Sequence, residues 1–411
     1  MTKTKTSQKT NKKTKPKTLV LLDAHAILHR AYHALPDFST PQGEPTGALY
    51  GVVAILLKLI EEHKPDYIAA AFDLPEPTHR HLAYDAYKAT RKKTDEALIT
   101  QINRSRDIFT AFNIPIYEQP GFEADDVLGT IVVGTKANKD LHIIIASGDM
   151  DTLQLVSGKK VQVYTPRRGV KDTVMYDEVA VKERFGFGPT LMADYKGLRG
   201  DPSDNIPGIP GIGEKTATLL ITGFGTIEKI YSVLDKTDGR SVMEKVGIKP
   251  RIIKLLKDNQ EEAIFSKMLA TIRCDVPIDF VLPKQPWTDT LNPETILALC
   301  KELNFKTLAE RSRLFFGGEA EASKAVADKP PATELTETAV ALWLLEPDTT
   351  SPTLEDILAY ADRAGEADDF ATARKLIFAS LKIEAVEAVF KKNRTAVNSG
   401  FANHARNRNF A

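Results

Sequence analysis

The residues best suited to chemistry in this sequence are acids, and they follow apolar runs. Residues 19–22, 67–72 and 142–146 read as buried strands, and each run ends at a carboxylate: Asp23, Asp73, and Asp149 with Asp151 shortly after. Glu123, Asp125 and Asp126 open a helix just after Gly121, and Asp201 and Asp204 lie farther along. Ligands of open α/β sheets bind beyond the carboxyl ends of the strands, so these side chains are expected to converge. Clustered carboxylates repel, and burial raises their pKa unless cations compensate. Hard divalent ions do this with oxygen ligands, and Mg²⁺ takes only one or two carboxylates directly. The set exceeds what direct ligation of two ions requires, so some acids would act through water. Two ions about 4 Å apart can activate water and stabilise the entering and leaving oxygens of a phosphoryl centre. The pattern points to metal-assisted phosphodiester hydrolysis. Singly, each acid also fits a plainer role as a turn residue, a helix cap or a partner of the helix dipole, Asp201 and Asp204 included.

Two further stretches could meet a polyanion. Arg80, Tyr84, Lys88 and Arg91 fall at i, i+4, i+8 and i+11, which predicts one helical face. Its cations can contact phosphates, and Tyr84 and Tyr87 offer surfaces for unstacked bases. A charged run is equally a solvated face; this one gains interest because it follows Asp73. Residues 206–217 contain Gly208, Gly211 and Gly213, which allow tight backbone turns before a helix whose N–H groups suit phosphate. Ile209 and Ile212 would anchor that turn. Glu214 stands where a P-loop needs lysine, which argues against a nucleotide-binding loop. A glycine-rich helix connection with no ligand is the alternative.

The elements that must position these residues alternate from Thr18 onward, with helices expected at 47–63, 99–112 and 124–135. Such alternation predicts an α/β fold, a parallel sheet flanked by helices. After Asp201 strand signals largely stop. The expected organisation is a disordered basic tail over 1–17, a catalytic α/β domain over 18–200 and a helical module over 201–317. A linker over 318–335, a partly helical extension over 336–398 and a disordered tail over 399–411 follow. Formal charge is zero, with 55 basic and 55 acidic residues, but the first 17 residues hold lysines and no acid. That tail could add salt-sensitive attraction to phosphates. Cys274 and Cys300 make neither a zinc spacing nor a disulfide framework, so a reducing cytosol is the simplest setting. No apolar run reaches membrane-spanning length, and the lysine-rich start lacks the core of a secretory signal.

The order of short motifs carries a resemblance. Leu-Leu-Asp at 21–23, Phe-Asp at 72–73, Tyr-Lys-Ala-Thr-Arg at 87–91 and Glu-Ala-Asp-Asp at 123–126 come first. Ser-Gly-Asp-Met-Asp at 147–151 and Gly-Asp-Pro-Ser-Asp-Asn at 200–205 follow. They lead into the glycine turn, whose Gly-Glu-Lys-Thr-Ala ending resembles a helix-hairpin-helix motif. From residue 19 to residue 316 the chain resembles the 5′-to-3′ exonuclease domain of bacterial DNA polymerase I, a relative of the flap endonucleases. The resemblance implies a PIN-like core followed by a helix-three-turn-helix module. It implies a structure-specific nuclease that cleaves near 5′ ends of flapped, nicked or branched DNA, or of RNA primers, in bacterial replication and repair.

By the same resemblance Asp23, Asp73, Glu123, Asp125, Asp126, Asp149, Asp151, Asp201 and Asp204 would hold two or more Mg²⁺ or Mn²⁺ ions. Tyr87, Lys88 and Arg91 would belong to a basic arch, with Lys88 and Arg91 near the scissile phosphate. Arg30 would engage the 5′ strand. Gly208, Gly211, Ile212, Gly213, Lys215 and Thr216 would grip the duplex backbone, with a K⁺ ion at the turn, and Arg80 and Tyr84 would add contacts. Met150 stands where lysine is common in relatives. Residues 342–345 and 354–360 faintly resemble part of the polymerase's middle domain, without a catalytic motif. The chain reads either as a stand-alone nuclease or as a truncated polymerase gene product, and a monomer working beside a separately encoded polymerase is the expected setting for the first. The rivals are a PIN-type ribonuclease on single-stranded RNA, to which the 201–217 module would be surplus, and a non-catalytic junction binder.

Overall fold

The computed structural model describes residues 16–35, 37–168, 172–316, 332–345, 352, 354–364 and 369–381. The chain divides into two compact units, Met1–Pro36 with Gly47–Leu291, and Asp37–Thr46 with Asn292–Ala411.

The first unit is built on a six-stranded sheet of order β3-β2-β1-β4-β5-β6. The strands are β1 (Lys17–Asp23), β2 (Tyr67–Ala71), β3 (Ile116–Tyr117), β4 (Leu141–Ala146), β5 (Val161–Arg168) and β6 (Asp172–Tyr176). β1 to β5 are parallel and β6 is antiparallel, so the expected parallel sheet gains a reversed edge strand. The helices around it are α1 (Ala24–Ala34), α2 (Gly47–His63), α3 (His79–Ala83), α4 (Glu96–Ala111), α5 (Ala124–Gly134) and α6 (Glu178–Phe185). Residues 19–23 of β1 are buried on both faces, the burial expected of a central parallel strand. Leu19 and Leu21 pack with Ala69, Ile143 and Ile145 and with Val127, Leu128 and Ile131 of α5. The register sets Leu22 beside Ala70 and beside Ala146. Three neighbouring strands therefore end level, at the point where the strand order reverses.

A helical layer follows: α7 (Met192–Arg199), α8 (Glu214–Phe224), α9 (Ile227–Leu234), α10 (Gly239–Lys245), α11 (Pro250–Asp258) and α12 (Gln260–Ala270). Its core joins Met192, Tyr195 and Leu198 to Ile209, Ile212, Leu220 and Ile230. α7 thus packs with this core, although it precedes Asp201, where the sequence predicts the module to begin. Past α12 the chain runs extended, with Val276 in the core beneath the sheet.

The basic stretch after β2 departs from the sequence prediction. α3 stops at Ala83 and residues 85–90 form turns, so no single helix joins Arg80, Tyr84, Lys88 and Arg91. Tertiary bonds displace helical ones: the Lys88 N–H donates to Asp204 O at 2.9 Å, and the Asn205 side-chain amide donates to Ala86 O at 2.7 Å. Lys88 adopts a left-handed backbone, φ 55°.

In the second unit lie α13 (Pro293–Glu302), α14 (Lys306–Phe316), α15 (Ala332–Leu345), α16 (Leu354–Arg363) and α17 (Phe370–Ser380). Leu342, Ile357, Ile377 and Phe378 form a small core, and the buried Asp362 carboxylate accepts the N–H groups of Lys306 and Thr307, capping α14. α15 opens at Ala332, inside the stretch expected as linker, because Leu335, Ala339 and Leu342 give it an apolar face. The linker up to residue 331, the basic tail up to residue 15 and the segment 399–411 lie outside the described residues. Among the described residues no helix is long and apolar enough to cross a membrane.

Candidate functional site

The level strand ends bring acids together. Asp23 is 5% exposed and caps α1, accepting the Ala26 N–H at 3.0 Å, while its other oxygen accepts the Ser147 hydroxyl at 2.8 Å. Burial first, and the charge of Asp73 second, push its pKa up to about 7. Asp73 accepts the N–H of Ala124, the first residue of α5, at 2.7 Å, and its own N–H donates to His25 Nδ1 at 3.1 Å. Burial lowers the pKa of His25. The exposed Asp149 caps the 3₁₀ turn Met150–Leu155 and donates its N–H to Ser147 Oγ at 2.9 Å. Ser147 so bridges Asp23 and Asp149. Arg30, on α1, lies against the same turn: a Cβ on Gly148 would fall 3.8 Å from its Cβ.

The start of α5 supplies a second group. Glu123 receives Lys88 Nζ at 2.7 Å on one oxygen, and Arg80 Nη1 at 3.0 Å and the Tyr87 hydroxyl at 3.1 Å on the other. Burial opposes the charge on Glu123, but Lys88 and Arg80 outweigh it and hold the pKa down. Asp125 is different: its Oδ1 is buried with no hydrogen-bond partner, and burial drives its pKa well up. Asp126 is fully buried and wholly engaged by nitrogen donors, among them both terminal nitrogens of Arg80. Its expected role as a metal ligand therefore meets an occupied carboxylate. The expectation for Arg80 is corrected. At 2% exposure it cannot reach a phosphate; it is an internal cation. Tyr84 packs edge-on against Phe265, with ring centroids 5.7 Å apart.

A third group closes over the others from the 201–204 turn. Asp204 accepts Arg91 Nη2 at 2.5 Å and the Tyr87 hydroxyl at 3.0 Å, with Lys88 Nζ at 4.0 Å. Tyr87 is buried, so it offers no open face for a base. Burial weakens the charge on Lys88, but Glu123 and Asp204 more than offset it and raise its pKa. Lys196 of α7 pairs with Asp151 and, at 2.6 Å, with Asp201. Burial takes Asp151 up to about 7 against the pull of Lys196, with Asp149 and Asp204 adding repulsion. Asp201 is less deeply buried and also accepts the N–H and hydroxyl of Ser203, so Lys196 holds it down at about 2. Lys196, Ser147 and His25 escaped the sequence reading; a lysine five residues before Asp201 and the serine of Ser-Gly-Asp were the available signals.

The glycine turn is held by close backbone packing. Gly208 (φ 61°) and Gly200 (φ 75°) face each other, and a Cβ on Gly208 would come within 2.1 Å of Gly200 N. Ile209 and Ile212 are buried beneath the turn, Gly213 is the N-cap of α8, and Lys215 is exposed in its first turn beside Thr216. Gly211 adopts φ 91° and lies beside the Arg251 guanidinium on α11. Among the described residues, no group of three or more His, Cys, Asp or Glu side chains stands arranged to hold a metal ion. The acids meet lysine and arginine instead.

Acids at the switch point of a mostly parallel sheet, followed by a helical layer with a backbone-tight glycine turn, define a two-part α/β nuclease architecture. Residues 18–186 match the family model described as 5′-3′ exonuclease, N-terminal resolvase-like domain, and residues 187–291 match its C-terminal SAM fold. The chain belongs to the 5′-3′ exonuclease family and is a nuclease. It is 38% identical over 299 residues to DNA polymerase I of Bacillus subtilis, covering 72% of this chain and 32% of that protein. It is 42% identical over 295 residues to DNA polymerase I of Caldicellulosiruptor bescii, covering 71% and 33%. The chain thus spans about a third of the length of these relatives. A solved flap endonuclease of bacteriophage T5, in a pseudo-enzyme–product complex with DNA and metal ions, shares the fold. Its TM-score is 0.50 at 19% identity, covering 73% of this chain and 99% of that one. The two family models meet between residues 186 and 187, ahead of Asp201, in keeping with the packing of α7 into the helical core.

Proposed function

We propose that the chain hydrolyses phosphodiesters near the 5′ end of flapped, nicked or branched DNA, RNA primers included, with Mg²⁺ or Mn²⁺. The observation that carries this reading is the gathering of acids from three level strand ends, the start of α5 and the 201–204 turn. Their chemistry fits hard cations. Asp125 keeps a buried oxygen without a partner, and Asp23 is forced toward neutrality, as expected of oxygen donors short of positive charge. Asp23, Asp73, Glu123, Asp125, Asp149, Asp151, Asp201 and Asp204 would hold the ions, some through water. Bound there, divalent ions supply an acidified water and neutralise charge on the phosphoryl oxygens.

The chain's own cations do the rest. Lys88, Arg91 and Lys196 now neutralise carboxylates; once those acids are satisfied otherwise, the three are released to hold the scissile phosphate and offset its developing charge. Arg30 would guide the 5′ strand along α1. The N–H groups at Gly213 and the start of α8, with Lys215 and Thr216, suit the duplex backbone, and the turn around Gly208 and Gly211 would seat K⁺. Catalysis would reside in the sheet-bearing part over 18–186 and duplex binding in the helical part over 187–291. These bounds replace 18–200 and 201–317, because α7 packs with the helical core and α13 and α14 belong to the second unit. A monomer in a bacterial cytosol, working with a DNA polymerase, is the setting we infer. The test is incubation with labelled 5′-flap DNA and Mg²⁺, which should release 5′-phosphorylated fragments. No cleavage with either ion, or preferential cleavage of single-stranded RNA, would sink the reading.

A further inference from the structure

We propose that Arg80 and Asp126 form a buried latch that ties α12 to the start of α5, so that the glycine turn and the carboxylates keep a fixed spacing, and that Asp126 is a positioning residue rather than a metal ligand. The inference rests on the metal-dependent reading above. Every N–H of the Arg80 side chain has an acceptor. Nε donates to Leu269 O at 2.9 Å, Nη1 to Glu123 Oε2 at 3.0 Å and Asp126 Oδ2 at 2.9 Å, and Nη2 to Asp126 Oδ1 at 2.8 Å and Thr271 O at 2.9 Å. Leu269 and Thr271 stand at the end of α12, where carbonyls lack partners within the helix.

Asp126 is equally saturated. Beyond Arg80 it accepts the Glu123 N–H at 3.2 Å and the Arg273 N–H at 2.8 Å, which fills the roughly four lone-pair sites of a carboxylate. A cation at Asp126 would have to displace Arg80 and strand a buried guanidinium. Its neighbour Asp125 has the open oxygen instead.

The latch reaches in both directions. In α12, Ser266 Oγ accepts the Gly208 N–H at 2.9 Å, fastening the glycine turn to that helix. At the other end Arg80 holds one oxygen of Glu123 while Lys88 holds the second. One hydrogen-bonded path therefore runs from the turn through α12, Arg80 and Glu123 to Lys88.

The test compares wild type with Asp126→Asn, Arg80→Lys and Asp125→Asn in three assays: Mn²⁺ titration followed by EPR, single-turnover cleavage of flap DNA at saturating Mg²⁺, and amide exchange at Arg273. Asp126→Asn and Arg80→Lys should keep the wild-type Mn²⁺ stoichiometry and half-saturation within about twofold, exchange Arg273 faster, and cleave about 10- to 100-fold more slowly. Asp125→Asn should weaken Mn²⁺ binding. Loss of an Mn²⁺ site in Asp126→Asn, or wild-type cleavage with unaltered Arg273 exchange, would overturn the latch. Where the single variants do not fold, the Arg80→Met, Asp126→Leu double variant replaces the pair by apolar groups of similar size; a lost Mn²⁺ site there also refutes the proposal, and retained sites support it. Failure of wild type to cleave would remove the proposed function, and the exchange measurement would still decide the latch.

Discussion

Replacing Asp23 by Asn should stabilise the metal-free protein above neutral pH while abolishing cleavage. Asp23 sits 5% exposed at the end of β1 with a pKa near 7, against an ordinary carboxyl near 4. Between those two values the folded chain keeps a proton that the unfolded chain has released, so stability falls as the pH rises through that window and stays low above it. A shift of about three units corresponds to at most about 4 kcal/mol, and relaxation around the site reduces what is measured. Asparagine removes the charge and keeps the cap, its carbonyl accepting from Ala26 N–H. The Ser147 bond reverses: the amide donates to Ser147 Oγ, where the Ser147 hydroxyl donates to Asp23 in wild type. Urea unfolding in EDTA from about pH 5 to pH 8 measures the effect as the difference between variant and wild type, which cancels titrations common to both. The gap should open with pH in favour of Asp23→Asn, and Mg²⁺ should close it by stabilising wild type alone. A variant less stable than wild type at pH 8 without metal, or a gap that does not change with pH, would refute the reasoning.

Other perturbations have equally definite outcomes. Lys88→Ala and Arg91→Ala should each slow cleavage by about 10²- to 10³-fold, with flap binding in Ca²⁺ largely kept, as read by single-turnover rates and fluorescence anisotropy. Lys196→Met should make the metal-free protein less stable at pH 8, because Asp151 and Asp201 lose their shared cation, and thermal melts should show Mg²⁺ restoring much of the loss. Gly208→Ala should shift the melting temperature down by several degrees or prevent folding, since its Cβ would strike the backbone of Gly200.

How much was legible in the sequence depended on how local the cause was. Asp23, Asp73 and Asp149 could be found because each lies just past an apolar run, and register brings those runs out level. The helix Gly47–His63 was visible in its own periodicity. β3 was not: it is two residues long and is held by pairing with β2. β5 and β6 were hidden by polar residues and Pro166, which an edge pairing tolerates. Arg80 misled for a stronger reason. Its helical spacing with Lys88 suggested a shared exposed face, but two of its acceptors lie 189 and 191 residues away in the chain, where no local pattern points.

The lysines and arginines of the site also explain how such a concentration of acid can be tolerated before any cation is bound. Glu123 and Asp204 share Lys88 and Tyr87, Asp151 and Asp201 share Lys196, and Asp126 is neutralised by Arg80. These cations differ in one respect that bears on function. Arg80 is sealed in with all its donors used, whereas half the Arg91 side chain is open to solvent and Lys88 and Lys196 are partly so. A group that must leave a carboxylate to meet a phosphate needs that access, and a group that must never leave is better without it. Exposure therefore divides the cations that can exchange partners during a reaction from the one that holds the frame, and the division follows their positions: Lys88 and Arg91 on turns, Lys196 on the helix leading to Asp201, and Arg80 beneath α12.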